Sequence, residues 1–167
     1  MTASPAADMP PVLLMLGASV VFRSVSGRRK VPMDQFFRGY RKSAIRPGEI
    51  LEEIIIPYPE EGTFQAFYKR GSRKSLTISR VNMACSARLE EGLIRDFRGV
   101  AGTMAVFPDV MEEVSSFLEG KAITSELIEQ VREMARDEVH PRTSQEYRKN
   151  ITGNLAAFFL EELSQSK

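Results

Sequence analysis

The 167-residue chain is long enough for one domain, or for two small domains that share an interface. Its 23 basic and 22 acidic residues leave a formal charge of +1, which gives no general reason to expect a nucleic acid or an acidic membrane as partner. With a single cysteine and a single histidine, the chain cannot form an internal disulfide. Nor can it assemble a structural zinc site or an iron–sulfur cluster by itself, so we expect no metal site.

The first part of the chain predicts one short helix and a small sheet. Residues 12–16 follow two prolines and read as a buried helix, because proline suits a first helical turn. Residues 19–24 and 29–32 predict a strand pair, residues 33–37 a helical turn, residues 39–48 a polar loop and residues 50–57 a strand. The apolar stretch 12–22 is too short to span a membrane, and Asp8 precedes it instead of a basic segment. We therefore expect a cytoplasmic protein with no membrane partner.

The second part predicts strands followed by helices. Residues 57–62 contain two prolines and a glycine and form the best candidate boundary. A strand begins at Phe64, residues 81–89 alternate between apolar and small or polar side chains, and residues 93–104 form a third strand. These strands predict a three-stranded antiparallel sheet with one buried face.

Three apolar stripes predict three helices near residues 110–118, 125–139 and 145–160. Thr124 or Ser125 begins the second helix, and the sequence Thr143-Ser144-Gln145-Glu146 resembles a capping box that opens the third. Strands first and helices afterwards indicate an α+β fold in which a three-stranded antiparallel sheet packs with a three-helix layer.

Several segments of the chain resemble one protein family in order and spacing. The strings TASPAAD, FFRGYRKSAIRPGEIL, FQAFYKRGSRK and SQEYRKN are similar to the FAD-binding subunits of molybdenum hydroxylases, the group of xanthine dehydrogenase and aerobic carbon monoxide dehydrogenase. FFRGYRKSAIRPGEIL is the most specific of these strings. The resemblance covers residues 2–163 and corresponds to the C-terminal half of such a subunit. It implies that residues 1–62 are the C-terminal remnant of an FAD-binding lobe and residues 63–167 the flavoprotein C-terminal domain.

The resemblance also implies an oxidoreductase function. Subunits of this family hold FAD, collect electrons from iron–sulfur clusters of a partner and pass them to NAD or another acceptor. The expected partners are therefore the iron–sulfur and molybdopterin subunits of one complex, and a homo-oligomer is possible.

The resemblance assigns six residues to the cofactor. Hydroxyl groups of Thr2 and Ser4 would donate to the FAD phosphates, and Asp8 would accept a hydrogen bond from the ribityl chain. Apolar Ile50 and Leu51 would lie beside the isoalloxazine ring, and Lys69 would lie near its pyrimidine end, where a cation favours reduction. No residue of this chain is expected to be catalytic, and residues 70–80 would form a loop over the flavin.

The chain also departs from the family pattern. The family has a glycine-rich lobe before the TASP segment that carries roughly the first half of the FAD site, and a split subunit with this N-terminal lobe on a separate chain is one alternative. Part of the family carries acidic residues in the flavin loop, whereas this chain has Lys74, Ser75 and Leu76, so the acceptor stays open.

Two other functions stay open. One is an accessory or scaffold domain that keeps the fold but holds no FAD alone. Alternatively, the basic residues Lys69, Arg70, Arg73, Lys74 and Arg80 form an anion-binding module, although no nucleic-acid motif accompanies them. Cys85 falls on the apolar phase of its strand and predicts a buried thiol, and His140 predicts a surface residue.

Overall fold

The computed structural model describes residues 4, 7–73, 77–104 and 106–166. Helix α1 (Met9–Met15) is followed by strands β1 (Ser19–Ser24) and β2 (Gly27–Pro32) and by a 3₁₀ turn (Met33–Gln35). Strands β3 (Phe37–Gly39) and β4 (Lys42–Ser43) form a small hairpin, and β5 (Ile50–Ile55) pairs antiparallel with β1. The first sheet therefore has the order β2-β1-β5. The hairpin lies in a segment for which the sequence predicted only a polar loop, so that prediction was wrong.

The core of the first sheet contains Val20, Phe22, Val31, Met33 and Phe36, which are nearly or fully buried. The Arg29 guanidinium lies 5.0 Å from the centre of the Phe22 ring and donates two hydrogen bonds, of 2.9 and 2.7 Å, to Glu49. Because Arg29 neutralises the charge of Glu49 and binds both of its oxygens, the pKa of that carboxyl is lowered to about 2. This ion pair ties β2 to the loop that precedes β5.

The second sheet has the order β6-β7-β8-β9 and is antiparallel throughout. Its strands are β6 (Phe64–Gly71), β7 (Ser79–Glu90), β8 (Leu93–Gly102) and the two-residue β9 (Asp109–Val110). Helices α2 (Glu112–Leu118), α3 (Ser125–Glu138) and α4 (Gln145–Gln165) follow. The α+β prediction is thus confirmed, and the short β9 extends the predicted three-stranded sheet.

The helices and one face of the second sheet enclose the main core. Alternate residues of β7, among them Val81, Met83 and Cys85, are fully buried against α2, α3 and α4. Thr124 caps α3 by accepting a 3.1 Å hydrogen bond from the Leu127 amide, as the sequence predicted. Ser144 at the start of α4 adopts φ 49° and makes no side-chain cap, so the predicted capping box was wrong.

The other face of the second sheet is buried too, which corrects the expectation of one buried face. Helix α1 packs across β7 and β8, and Met15 forms a small core with Ala84 and Val100. Asn82 is fully buried on this face, and Ser86 is 6% exposed. The first helix of the chain therefore packs on a sheet whose strands come much later in the sequence.

Helices α3 and α4 approach each other closely at Gly153. A Cβ atom at this position would lie 2.4 Å from the carbonyl oxygen of Arg132, a distance that backbone atoms do not tolerate. Glycine normally destabilises a helix by about 1 kcal/mol relative to alanine. Here we expect the reverse: Gly153→Ala should lower the free energy of unfolding by about 1–3 kcal/mol because α3 must move. Urea unfolding measures this, with Glu161→Ala on the exposed face of α4 as the control. An unchanged or higher stability of Gly153→Ala would contradict the close packing.

The Arg29–Glu49 ion pair predicts a pH dependence of stability. The pKa of Glu49 in the folded protein lies below its ordinary value of 4.5, so its contribution is present above pH 4.5 and is lost as the pH falls toward about 2. We expect Glu49→Gln to be less stable than the parent chain at neutral pH, with the difference shrinking on acidification. Urea unfolding at a series of pH values checks this, with the exposed Glu61→Gln as control. A difference independent of pH would show that the charge of Glu49 is not what stabilises the loop.

Candidate functional site

Asp8, immediately before α1, meets the end of the second sheet. Its carboxylate accepts hydrogen bonds of 2.6 Å from Lys69 Nζ, 2.5 Å from Ser79 Oγ and 2.9 Å from Asn82 Nδ2. Asn82 Nδ2 also lies 3.3 Å from the carbonyl oxygen of Ala7, to which it donates. Two residues that the resemblance assigned to the cofactor, Asp8 and Lys69, are thus in direct contact although 61 positions separate them.

The surroundings of Asp8 favour its ionised form. Burial alone would raise the pKa of this carboxyl, but the hydrogen bonds from Lys69, Ser79 and Asn82 lower it below its ordinary value. An ionised carboxylate offers about four acceptor positions. Ser79 and Asn82 bind Oδ1 and Lys69 binds Oδ2. The described contacts therefore leave one acceptor position, on Oδ2, and the Asp8 side chain is 37% exposed.

An apolar cleft of about 200 Å³ lies at the N-terminal end of α1, and the residues on either side of Asp8 in the chain, Ala7 and Met9, both line it. Its wall includes Ser4 and Ala7 from the N-terminal loop, Leu13 of α1, and Leu51 and Ile54 of β5. Leu51 and Ile54 share one face because β5 has an extra residue, which shifts its register against β1. An apolar cleft of this kind suits the ring of a ligand, and the Asp8 carboxylate suits a hydroxyl-bearing chain.

The other predicted site residues have different outcomes. Thr2 lies outside the described residues, as do Lys74, Ser75 and Leu76 of the flavin loop. Ile50 is 65% exposed and does not line the cleft. The site therefore contains four of the six predicted residues, Ser4, Asp8, Leu51 and Lys69, divided between the cleft and the ion pair.

Sequence reasoning missed Ser79 and Asn82. Ser79 precedes the alternating part of β7, and Asn82 falls within it. The polar residues of this part were predicted to face solvent. The one available signal was the amide of Asn82 in a strand otherwise rich in small and apolar residues. Only the docking of α1 shows that these polar groups face Asp8.

Two basic residues of the anion-binding hypothesis, Lys69 and Arg80, have different charged neighbours in the described part of the chain. Lys69 pairs with Asp8, and Arg80 lies near Arg148, whose pKa is lowered by burial and by this second guanidinium. An Arg148 guanidinium nitrogen donates to the Thr103 carbonyl.

The remaining candidate side chains have structural positions. Cys85 is fully buried and His140 is exposed, which confirms both predictions. The His140 amide donates a 2.8 Å hydrogen bond to Asp109. Within the described residues no three His, Cys, Asp or Glu side chains come together as metal ligands.

Two family models match the chain in succession. The FAD binding domain in molybdopterin dehydrogenase matches residues 1–59, and the CO dehydrogenase flavoprotein C-terminal domain matches residues 66–163. The first match indicates the class, a flavin-binding domain of oxidoreductases. Because the second spans more than half of the chain, the chain belongs to the FAD-binding subunits of the molybdenum hydroxylase family and carries their C-terminal domain.

Known relatives agree with this assignment. The chain is 43% identical over 94 residues to xanthine dehydrogenase/oxidase of Rattus norvegicus, which covers 56% of this chain and 7% of that protein. It is 29% identical to the nicotinate dehydrogenase FAD-subunit of Eubacterium barkeri, over 98% of this chain and 58% of the relative. Reconstituted CO dehydrogenase from Oligotropha carboxidovorans contains a chain with a TM-score of 0.89 and 25% identity, over 99% of this chain and 59% of that one.

The chain thus spans less than two thirds of each of these relatives. In the part of the chain that the structure describes, no helix has the length and apolar character needed to cross a membrane.

The position of Cys85 predicts a thiol that does not react in the folded protein. Burial raises the pKa of this thiol, so the nucleophilic thiolate is disfavoured and also inaccessible to reagents. We expect no reaction with a thiol-specific chromogenic reagent under native conditions and one equivalent in denaturant. Rapid labelling of the folded chain would contradict the packing of β7 against the helices.

Proposed function

We propose that this chain supplies part of the FAD site of an electron-transferring molybdenum hydroxylase subunit. The observation that carries the proposal is the Asp8–Lys69 ion pair at the start of α1, where the neighbouring residues Ala7 and Met9 line an apolar cleft. We also propose the division expected from the sequence, with residues 1–62 as the partial FAD lobe and residues 63–167 as the C-terminal domain. Bound FAD would take up electrons from iron–sulfur clusters and release them to NAD or another acceptor.

The residues of the site fit a part of FAD. The open acceptor position on Asp8 suits a hydroxyl of the ribityl chain, and Leu51 offers an apolar contact to a ring. A volume of about 200 Å³ is below the range of roughly 300–1,000 Å³ typical of sites for drug-sized ligands, and FAD is larger still. The remaining surface of the cofactor therefore needs further protein.

Each proposed residue has a distinct role. Lys69 would stabilise the negative charge that a flavin gains on reduction, since a nearby cation acts strongly at a partly dehydrated site. Asp8 would orient the ribityl chain, and Ser4 with Thr2 would donate to the phosphates. Leu51, with Ile50 at the exposed margin, would exclude water from the ring.

The exposure of strand β5 suggests where the further protein that FAD requires would dock. Strand β5 is the edge strand of the first sheet, and all six of its residues are exposed, with Ile50 at 65% and Ile54 at 43%. Its two acidic residues are neutralised by Arg23 and Arg28. An exposed edge strand with apolar side chains can pair with another strand, and paired charges oppose this less than unpaired ones. We therefore propose that a separate N-terminal FAD lobe covers this edge, within a complex that also holds iron–sulfur and molybdopterin subunits.

A second candidate function is an accessory domain that keeps the fold and its partner surface without a flavin. The small volume of the cleft favours it for the chain alone. Like the first candidate, it predicts that another protein covers the edge of β5, but it predicts no binding of FAD.

Titration of the purified chain with FAD, followed by quenching of flavin fluorescence, tests the proposed function. We expect saturable binding that Asp8→Ala and Lys69→Met each weaken by about tenfold or more, as for a lost hydrogen bond to a charged group. The matched control is Lys30→Met, which removes an exposed lysine of β2 that is not among the described partners of Asp8. Absence of saturable quenching would overturn FAD binding by this chain alone, and equal effects of all three variants would show non-specific attraction of an anion.

A further inference from the structure

Asn82 occupies a central place in the polar network around Asp8. It lies on β7 directly between Lys69 of β6 and Gly102 of β8, its partners in the two ladders. This row crosses three strands and ends beneath the N-terminal turn of α1. Its first two members both donate to Asp8, and the third has no side chain.

Gly102 provides the space in which the Asn82 amide lies. A Cβ atom at position 102 would come within 1.8 Å of Asn82 Oδ1 and 2.6 Å of Pro11 Cγ. The amide and the start of α1 therefore fill a volume that any other residue at position 102 would occupy. Helix and amide are packed together over one glycine.

The orientation of the amide is fixed by its neighbours. Nδ2 faces two acceptors, the Asp8 carboxylate and the Ala7 carbonyl, so a flipped amide would place oxygen against oxygen. In the observed orientation Oδ1 is buried and has no hydrogen-bond partner in the described structure. A buried acceptor without a partner is unfavourable, and a small apolar side chain at this position would avoid it.

We propose that Asn82 is a positioning residue, which holds the Asp8 carboxylate and the adjacent Ala7 carbonyl in place for the cofactor. The role of Asn82 toward the cofactor rests on the proposed function, whereas its contacts with Asp8 and Ala7 do not. Asn82 makes no contribution to the main core, because its side chain faces α1 rather than α2, α3 and α4. Ser79 supports the same oxygen from the strand terminus, and Lys69 holds the other one.

The test follows the Asp8 carboxyl by carbon-detected NMR titration in the full chain, with and without Asn82→Ala. Loss of the amide donor should raise the pKa of Asp8 toward its ordinary value, since a hydrogen bond to the ionised form is removed. The thermal midpoint should stay within about 3 °C of the parent, because the unpaired acceptor is removed together with the donor. Asn82→Val, which fills the space without a donor, repeats the test if Asn82→Ala leaves the chain unfolded.

Ser86→Ala is the matched control, since Ser86 is buried on the same face of β7 but does not contact Asp8. An Asp8 titration unchanged in both Asn82 variants would overturn the inference and leave Lys69 and Ser79 as sufficient supports. A large loss of stability with an unchanged titration would assign Asn82 a packing role only and would also overturn it.

A parallel FAD titration separates this inference from the proposed function. If the parent chain binds FAD, we expect Asn82→Ala to weaken binding about tenfold. If the parent chain does not bind FAD while the Asp8 titration shifts as expected, the positioning role stands and the proposed function fails. Unaltered FAD affinity in the variant would overturn the role of Asn82 at the cofactor.

Discussion

The contact between α1 and the second sheet is the constraint on which the site depends. It requires small side chains beneath the helix, and the sheet provides them at Ala84 and Gly102, with Pro11 directly above the glycine. Because α1 lies this close, Asp8, the residue before it, reaches the end of β6 and the start of β7. A bulkier side chain in this contact would lift the helix and separate Asp8 from Lys69, even though neither residue had changed.

The same contact explains which part of the fold the sequence could predict. The alternation in β7 correctly located a strand and its apolar face, and the helical stripes located α2, α3 and α4. The opposite face was misread because Asn82, Ala84 and Ser86 are small or polar, as solvent-facing residues often are. Their burial depends on a helix about 70 residues earlier in the chain, and no local pattern carries that information. The capping box failed because Ser144 has a left-handed backbone conformation, with φ 49°, and its side chain makes no cap.

Prediction of the site had a different basis. Composition and spacing gave no reason to pair Asp8 with Lys69; resemblance to a family suggested both, and the fold brought them together. Leu51 lines the cleft together with Ile54 because β5 has an extra residue, and strand periodicity cannot predict such a local irregularity. Family resemblance thus suggested Asp8, Lys69 and Leu51 for the candidate site, whereas the residues that contact Asp8 from β7, Ser79 and Asn82, required the structure.

The two candidate functions share one fold, because both cores are complete without a flavin. What separates them is the chemistry of groups that folding does not need. A domain retained only as a scaffold would be served at least as well by alanine or valine at position 82, since the unpaired Oδ1 of Asn82 opposes folding by roughly 1–3 kcal/mol. The amide instead faces an ionised carboxylate that keeps an open acceptor position toward solvent. A polar group kept at an unfavourable place in order to hold such an acceptor indicates a ligand, and this favours the flavin site over the scaffold.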